Sequence, residues 1–168
     1  MSIQALARHP LETWQSVARR ELAAAETRLF IDGRFVDALD GQRFDCINPA
    51  TGEVIAAVSA ANAKDVDAAV AAARRTFRAG LWSKMAPRAR MQVLFRFTEL
   101  IEEHAEQLAI LDTLNMGKPI SDMLNIDLPS VIETFRFMAE CIDKIEGSVT
   151  NTASDVMNGV SFAVAATG

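Results

Sequence analysis

The strongest constraint in this sequence lies between Asn62 and Gly147, where apolar residues recur at helical spacing in three successive runs. Val66, Ala69, Val70, Ala73 and Phe77 share one face of a first helix. Met91, Leu94, Phe95, Ile101, Leu108 and Leu111 supply the buried side of a second, from Pro87 to near Gly117. Leu128, Val131, Ile132, Phe135, Met138, Ile142 and Ile145 keep the same period in a third. A helix striped in this way must lay its apolar side against another layer. The punctuation agrees with the period. Asn62 and Asp65 have capping-box spacing, and Gly80 ends the first helix. Pro87 suits the first turn of the second. Pro119 to Asn125 reads as a short helical stretch, after which Asp127 caps the third helix with Pro129 in its first turn. Glu140 and Lys144 form an i,i+4 pair, and Gly147 closes that helix.

The rest of the chain is less helical. Residues 11–26 form an amphipathic helix through Leu11, Trp14, Val17, Ala18 and Leu22. The period then shortens. Two β-type runs flank Asp32-Gly33, a hairpin dipeptide, and two more flank the turn from Asn48 to Gly52. Residues 29–59 thus read as a small antiparallel meander. Beyond Gly147 the composition returns to strand and turn. Strands so few and short, beside such wide apolar stripes, leave open edges and uncovered faces. The chain reads as the beginning of something larger, of α/β class.

Composition narrows the function classes. The net charge is −5, and the local arginine clusters sit beside acidic residues, which argues against nucleic-acid binding. The two cysteines, Cys46 and Cys141, make no disulfide framework. No apolar run approaches the ~18 residues of a membrane span, and the first residues lack a signal-peptide pattern. A soluble, cytoplasmic protein is expected.

Gly117-Lys118-Pro119 raises the question of phosphate binding. A phosphate loop requires an earlier glycine at position 112, where Asp112 stands, and a Ser or Thr where Pro119 stands. Gly117 fits better as a helix end and Pro119 as the next helix start. His9 and His104 have no partner at metal-ligand spacing. Cys46 and Cys141 read as small buried apolar residues, since no base is paired with either. On the residues alone, no catalytic residue is assigned.

The order of several segments nevertheless resembles one family. Leu29 to Ser83 opens with a F-I-x-G hairpin, continues with Asn48 to Glu53 (N-P-A-T-G-E) and then with Asp65 to Arg74 (D-V-D-A-A-V-A-A-A-R). Asp112-Thr113 followed by Gly117 to Pro119, and the stretch from Glu133 to Lys144, complete the series. In this order they resemble the start of an aldehyde dehydrogenase, from about Leu29 to Asn158. The preceding stretch from Glu12 to Gly33 looks most like the branch acting on γ-glutamyl-aminobutyraldehyde and other aminoaldehydes.

The resemblance implies an N-terminal portion of that fold. Residues 1–28 would be a helical extension. Residues 29–145 would supply the short β-meander and long outer helices of the dinucleotide-binding domain. Residues 146–168 would start the oligomerisation β-arm. The parent enzyme would use NAD or NADP to oxidise an aldehyde, through a cysteine thiolate, an oxyanion hole, hydride transfer and base-assisted thioester hydrolysis. It would act as a homo-oligomer. None of those catalytic segments is recognisable here, so the chain is expected to be shortened, inactive alone and without bound cofactor. Two site readings follow from the resemblance. Cys46, Ile47 and Asn115 match positions that hold a monovalent cation, although Asn115 replaces an aspartate. Asp127 and Ser130 match a helix end bordering the substrate entrance. A second reading is a non-enzymatic interaction protein that associates with full-length subunits.

Overall fold

The computed structural model describes residues 3–6 and 8–147, so that all but the first two residues of the stretch 146–168, expected to start an oligomerisation arm, lie outside that range. Two N-terminal helices, α1 (Ile3–Leu6) and α2 (Leu11–Ala24), lead into four short strands. These are β1 (Leu29–Ile31), β2 (Arg34–Val36), β3 (Arg43–Ile47) and β4 (Val54–Ser59). Helices α3 (Ala63–Ala79), α4 (Pro87–Glu103), α5 (Ala105–Met116), α6 (Ile120–Asp122) and α7 (Leu128–Cys141) follow, with a π-helical segment, Met123–Asp127, between the last two.

The strands do not join into one meander. They form two separate antiparallel ribbons, β1–β2 and β3–β4. Asp32 and Gly33 both adopt positive φ, 54° and 74°, which gives the first ribbon its two-residue turn. The link between the ribbons folds onto α3 instead of continuing the sheet. Its Leu39 N–H donates to the Asp65 carboxylate at 3.2 Å, and Ala38 is buried.

Asp65 is only 3 % exposed and also completes the expected capping box. Asn62 Oδ1 accepts from the Lys64 and Asp65 N–H groups, and Asp65 Oδ2 accepts from Asn62 N–H at 2.9 Å. Gly80 then ends α3 at φ 68°.

The single helix expected from Pro87 to Gly117 is broken at His104, whose φ of −102° and ψ of 16° turn the axis. Neither proline nor glycine is responsible. α4 packs on α7 while α5 packs on α2, and one displaced residue lets the two halves face different partners. The buried set shifts accordingly. Ala105, Ala109 and Ile110 are buried, whereas Leu108 is largely exposed. Around α5 the core gathers Leu6, Trp14, Val17, Ile101, Met123, Leu124, Leu128 and Ile132.

Asp127 is not a helix cap. It has helical φ and ψ, and its side chain caps nothing, because the π segment carries the backbone continuously into α7. Lys144 likewise does not pair with the Glu140 carboxylate; it bonds the Glu140 carbonyl at 2.9 Å and the Asp143 carboxylate at 2.8 Å. α7 stops at Cys141, short of Gly147.

Candidate functional site

The residues singled out by sequence converge where α5 ends. The C-terminal residue of α5 is followed by Gly117 in the left-handed region, φ 71°, with its N–H bonded to the Thr113 carbonyl at 2.9 Å. The turn between β3 and β4 lies against this corner. A Cβ on Gly117 would sit 2.7 Å from Pro49 Cγ, so only glycine allows both the backbone conformation and the contact. That turn is held by its own bonds. Asn48 Oδ1 accepts from Ala50 N–H at 2.9 Å, and Asn48 N–H donates to the Glu53 carbonyl at 2.9 Å.

Two of the three expected cation residues meet here. The Cys46 thiol donates to Asn115 Oδ1 at 2.8 Å, across 69 positions of sequence. Ile47, next to Cys46, follows an irregularity in the β3–β4 register and is exposed. Cys46 is therefore a half-buried hydrogen-bond donor and not a buried apolar filler; Cys141 is also half-buried. Among the described residues no group of three or more His, Cys, Asp and Glu is placed to hold a metal ion.

Lys118 and Asp127 form an ion pair across the junction. The bond to Asp127, with further help from Asp122 and Asp112, raises the Lys118 ammonium above its ordinary value. Ser130 Oγ donates to the Ile126 carbonyl at 2.6 Å. Both expected entrance residues are thus engaged in local structure. The junction does not fit a dinucleotide phosphate. Its lysine is already neutralised by Asp127, and Pro119 has no N–H to offer at the start of the helical stretch.

Sequence reasoning missed the contact of Pro49 with Gly117 and the Lys118–Asp127 pair. Neither has a local signature, since each joins residues at no helical or strand spacing. It also missed a polar cluster between α2 and α5. There Glu106 accepts from Arg20 at 2.7 Å and lies 3.6 Å from His9 Nε2, while His9 packs edge-on against Trp14. His104, by contrast, is exposed. No helix among the described residues is long and apolar enough to cross a membrane.

Comparison with known proteins places this geometry. The aldehyde dehydrogenase family profile matches residues 35–165. Aminoacetaldehyde dehydrogenase of Pseudomonas aeruginosa is 48 % identical over 127 residues, which are 76 % of this chain and 26 % of that protein. An NADP/NAD-dependent aldehyde dehydrogenase of Escherichia coli is 40 % identical over 87 % of this chain and 29 % of its own length. The crystal structure of γ-glutamyl-γ-aminobutyraldehyde dehydrogenase from Burkholderia cenocepacia superposes with a TM-score of 0.79 at 43 % identity. That match covers 86 % of this chain and 29 % of the other. The chain thus spans between a quarter and a third of the length of these relatives.

Proposed function

This chain belongs to the aldehyde dehydrogenase family, and we propose from that premise that it supplies the N-terminal portion of an NAD(P)-dependent enzyme oxidising an aldehyde to the carboxylic acid. We assign the substrate to the aminoaldehydes. The observation that carries the assignment is the match, at 48 % and 43 % identity, to two proteins whose names specify amino-substituted aldehydes. In this reading residues 29–145 form the outer part of the dinucleotide-binding domain, and the whole enzyme is a cytoplasmic homo-oligomer. The described junction has no cradle for the dinucleotide, so the nucleotide chemistry belongs to the remainder of the fold. The role of these residues is to build and brace the outer wall.

The test is a hybrid. The matched segment of the Pseudomonas aeruginosa enzyme is replaced by its counterpart here, and NADH formation is followed with aminoaldehydes and simple aldehydes. The hybrid should oxidise aminoaldehydes in preference, whereas the 168-residue chain alone should produce no NADH and bind NAD weakly or not at all. A folded but inactive hybrid would sink the proposal. So would turnover by the chain alone that disappears on Cys141→Ala, or a Kd in the low micromolar range (about −8 kcal/mol) for NAD.

The cation reading stays with Cys46, Ile47 and Asn115. Backbone carbonyls and the Asn115 amide oxygen are neutral donors, which suit a weakly held monovalent cation better than a divalent one. In the hybrid, Asn115→Asp should increase the rise in Tm caused by K+ or Na+. An unchanged response would remove Asn115 from the site.

A further inference from the structure

Between α6 and α7 the Leu128 N–H donates to the Met123 carbonyl five residues earlier, the bond of a π turn. Such turns are rare, occur mostly as single insertions in α-helices and are frequent at functional sites. The inserted residue is trapped between two fixed ends. Upstream, Gly117 against Pro49 and Pro119 at the helix start set where the helical stretch begins. Downstream, α7 is fastened to α4 by Arg136 and Glu102 at 2.8 Å and by the edge-on pair of Phe97 and Phe135.

The turn has a buried side and an open side. Met123, Leu124 and Leu128 are buried in one cluster with Leu6 of α1 and with Trp14 and Val17 of α2, and α1 packs on the turn itself. On the open side Ile126 is exposed, its carbonyl accepts from Ser130 Oγ at 2.6 Å, and Asp127 reaches Lys118. The N-terminal helices are in turn secured to α5. Arg20 bonds Glu106 at 2.7 Å, and His9, edge-on to Trp14, lies 3.6 Å from the same carboxylate. The chain therefore supplies a support behind the turn whose anchorage is independent of the groups in front of it.

We propose that α1 and α2 hold the π turn from behind and so position Asp127 and Ser130, with Leu6 as the positioning residue. The proposal rests on the reading of Asp127 and Ser130 as residues bordering substrate entry. Its physical content is a matter of phase. At 3.6 residues per turn, one residue gained or lost rotates a helix by about 100°. A π turn that relaxes to α-helix therefore carries Asp127 away from Lys118 and Ser130 away from its present side. Leu6 acts through the buried side of the turn, by filling the space behind Leu124.

Two measurements on the 168-residue chain read the turn directly. Leu6→Ala should speed hydrogen exchange at the Leu128 N–H several-fold, with exchange in α3 unchanged. It should also speed acylation of Lys118 by acetic anhydride several-fold, because an ammonium released from Asp127 gives up its proton more readily. Leu6→Met, which conserves volume, should leave both as they are. Leu6→Val provides a smaller cavity if the alanine variant does not fold. A third measurement uses the hybrid, made with residues 1–28 of this chain in place. There Leu6→Ala should raise KM for aminoaldehydes several-fold with kcat little changed, and Asp65→Ala should lower Tm without moving KM. The proposal is overturned if the cavity variants and Leu6→Met give the same exchange at Leu128 and the same labelling of Lys118. An active hybrid whose labelling changes while KM stays fixed overturns the part that concerns substrate entry. A hybrid without activity tells against the function proposed above, and exchange and labelling still decide the support.

Discussion

Gly117 is constrained twice, by a backbone conformation that L side chains adopt at a cost and by the proline ring lying against it. Gly117→Ala should therefore destabilise by more than the roughly 1–2 kcal/mol of the left-handed backbone alone. Pro49→Ala removes the obstructing Cγ and leaves the backbone cost in place. A double-mutant cycle in urea, run in the hybrid, should show Pro49→Ala relieving part of the Gly117→Ala penalty. Strict additivity would mean that the two residues do not touch in solution. The sequence suggested half of this. A glycine after a helix followed by proline reads as a helix end, because the signal is local. That the turn at Asn48 lies against the same corner depends on residues far away in the chain.

At the scale of elements, Asp65 shows what local chemistry can and cannot reveal. Its bond to Asn62 follows from three-residue spacing and was legible. Its bond to Leu39 was not, since it depends on how the link between the ribbons folds. Asp65→Ala should release both at once. Hydrogen exchange should accelerate at the N–H groups of Leu39 and Asn62 together, with little change in α7. Faster exchange at Asn62 alone would show that the link is held by other contacts. The same distinction explains the errors. The halves on either side of His104 pack on α7 and α2, the π segment packs against α1 and α5, and the apolar period passes through both irregularities without a mark. Asp127 has the composition of a cap, yet its carboxylate goes to Lys118, nine positions earlier and at no recognisable spacing. Cys46, Ile47 and Asn115 were selected through resemblance alone, and the thiol-to-amide bond now joins two of them.

For the molecule as a whole, the distribution of apolar side chains matters more than any one bond. Fully burying a residue such as Val70, Phe77 or Phe97 contributes about 1.5–3 kcal/mol, and here each stays in contact with water. The chain by itself should bind apolar dyes strongly, sediment as more than one species and unfold over a broad temperature range. A monodisperse monomer with one sharp transition and no dye binding would show that residues 1–168 are self-sufficient. The bond from Cys46 to Asn115, and the seat of Pro49 on Gly117, also carry a kinetic meaning. They close a loop of 69 residues, and the entropy of that closure is lost before either contact offers anything in return. The helices α4 to α7 meet over shorter stretches of chain. The β3–β4 ribbon should accordingly dock late during folding and open early in the native state, so its N–H groups should exchange faster than those of α5.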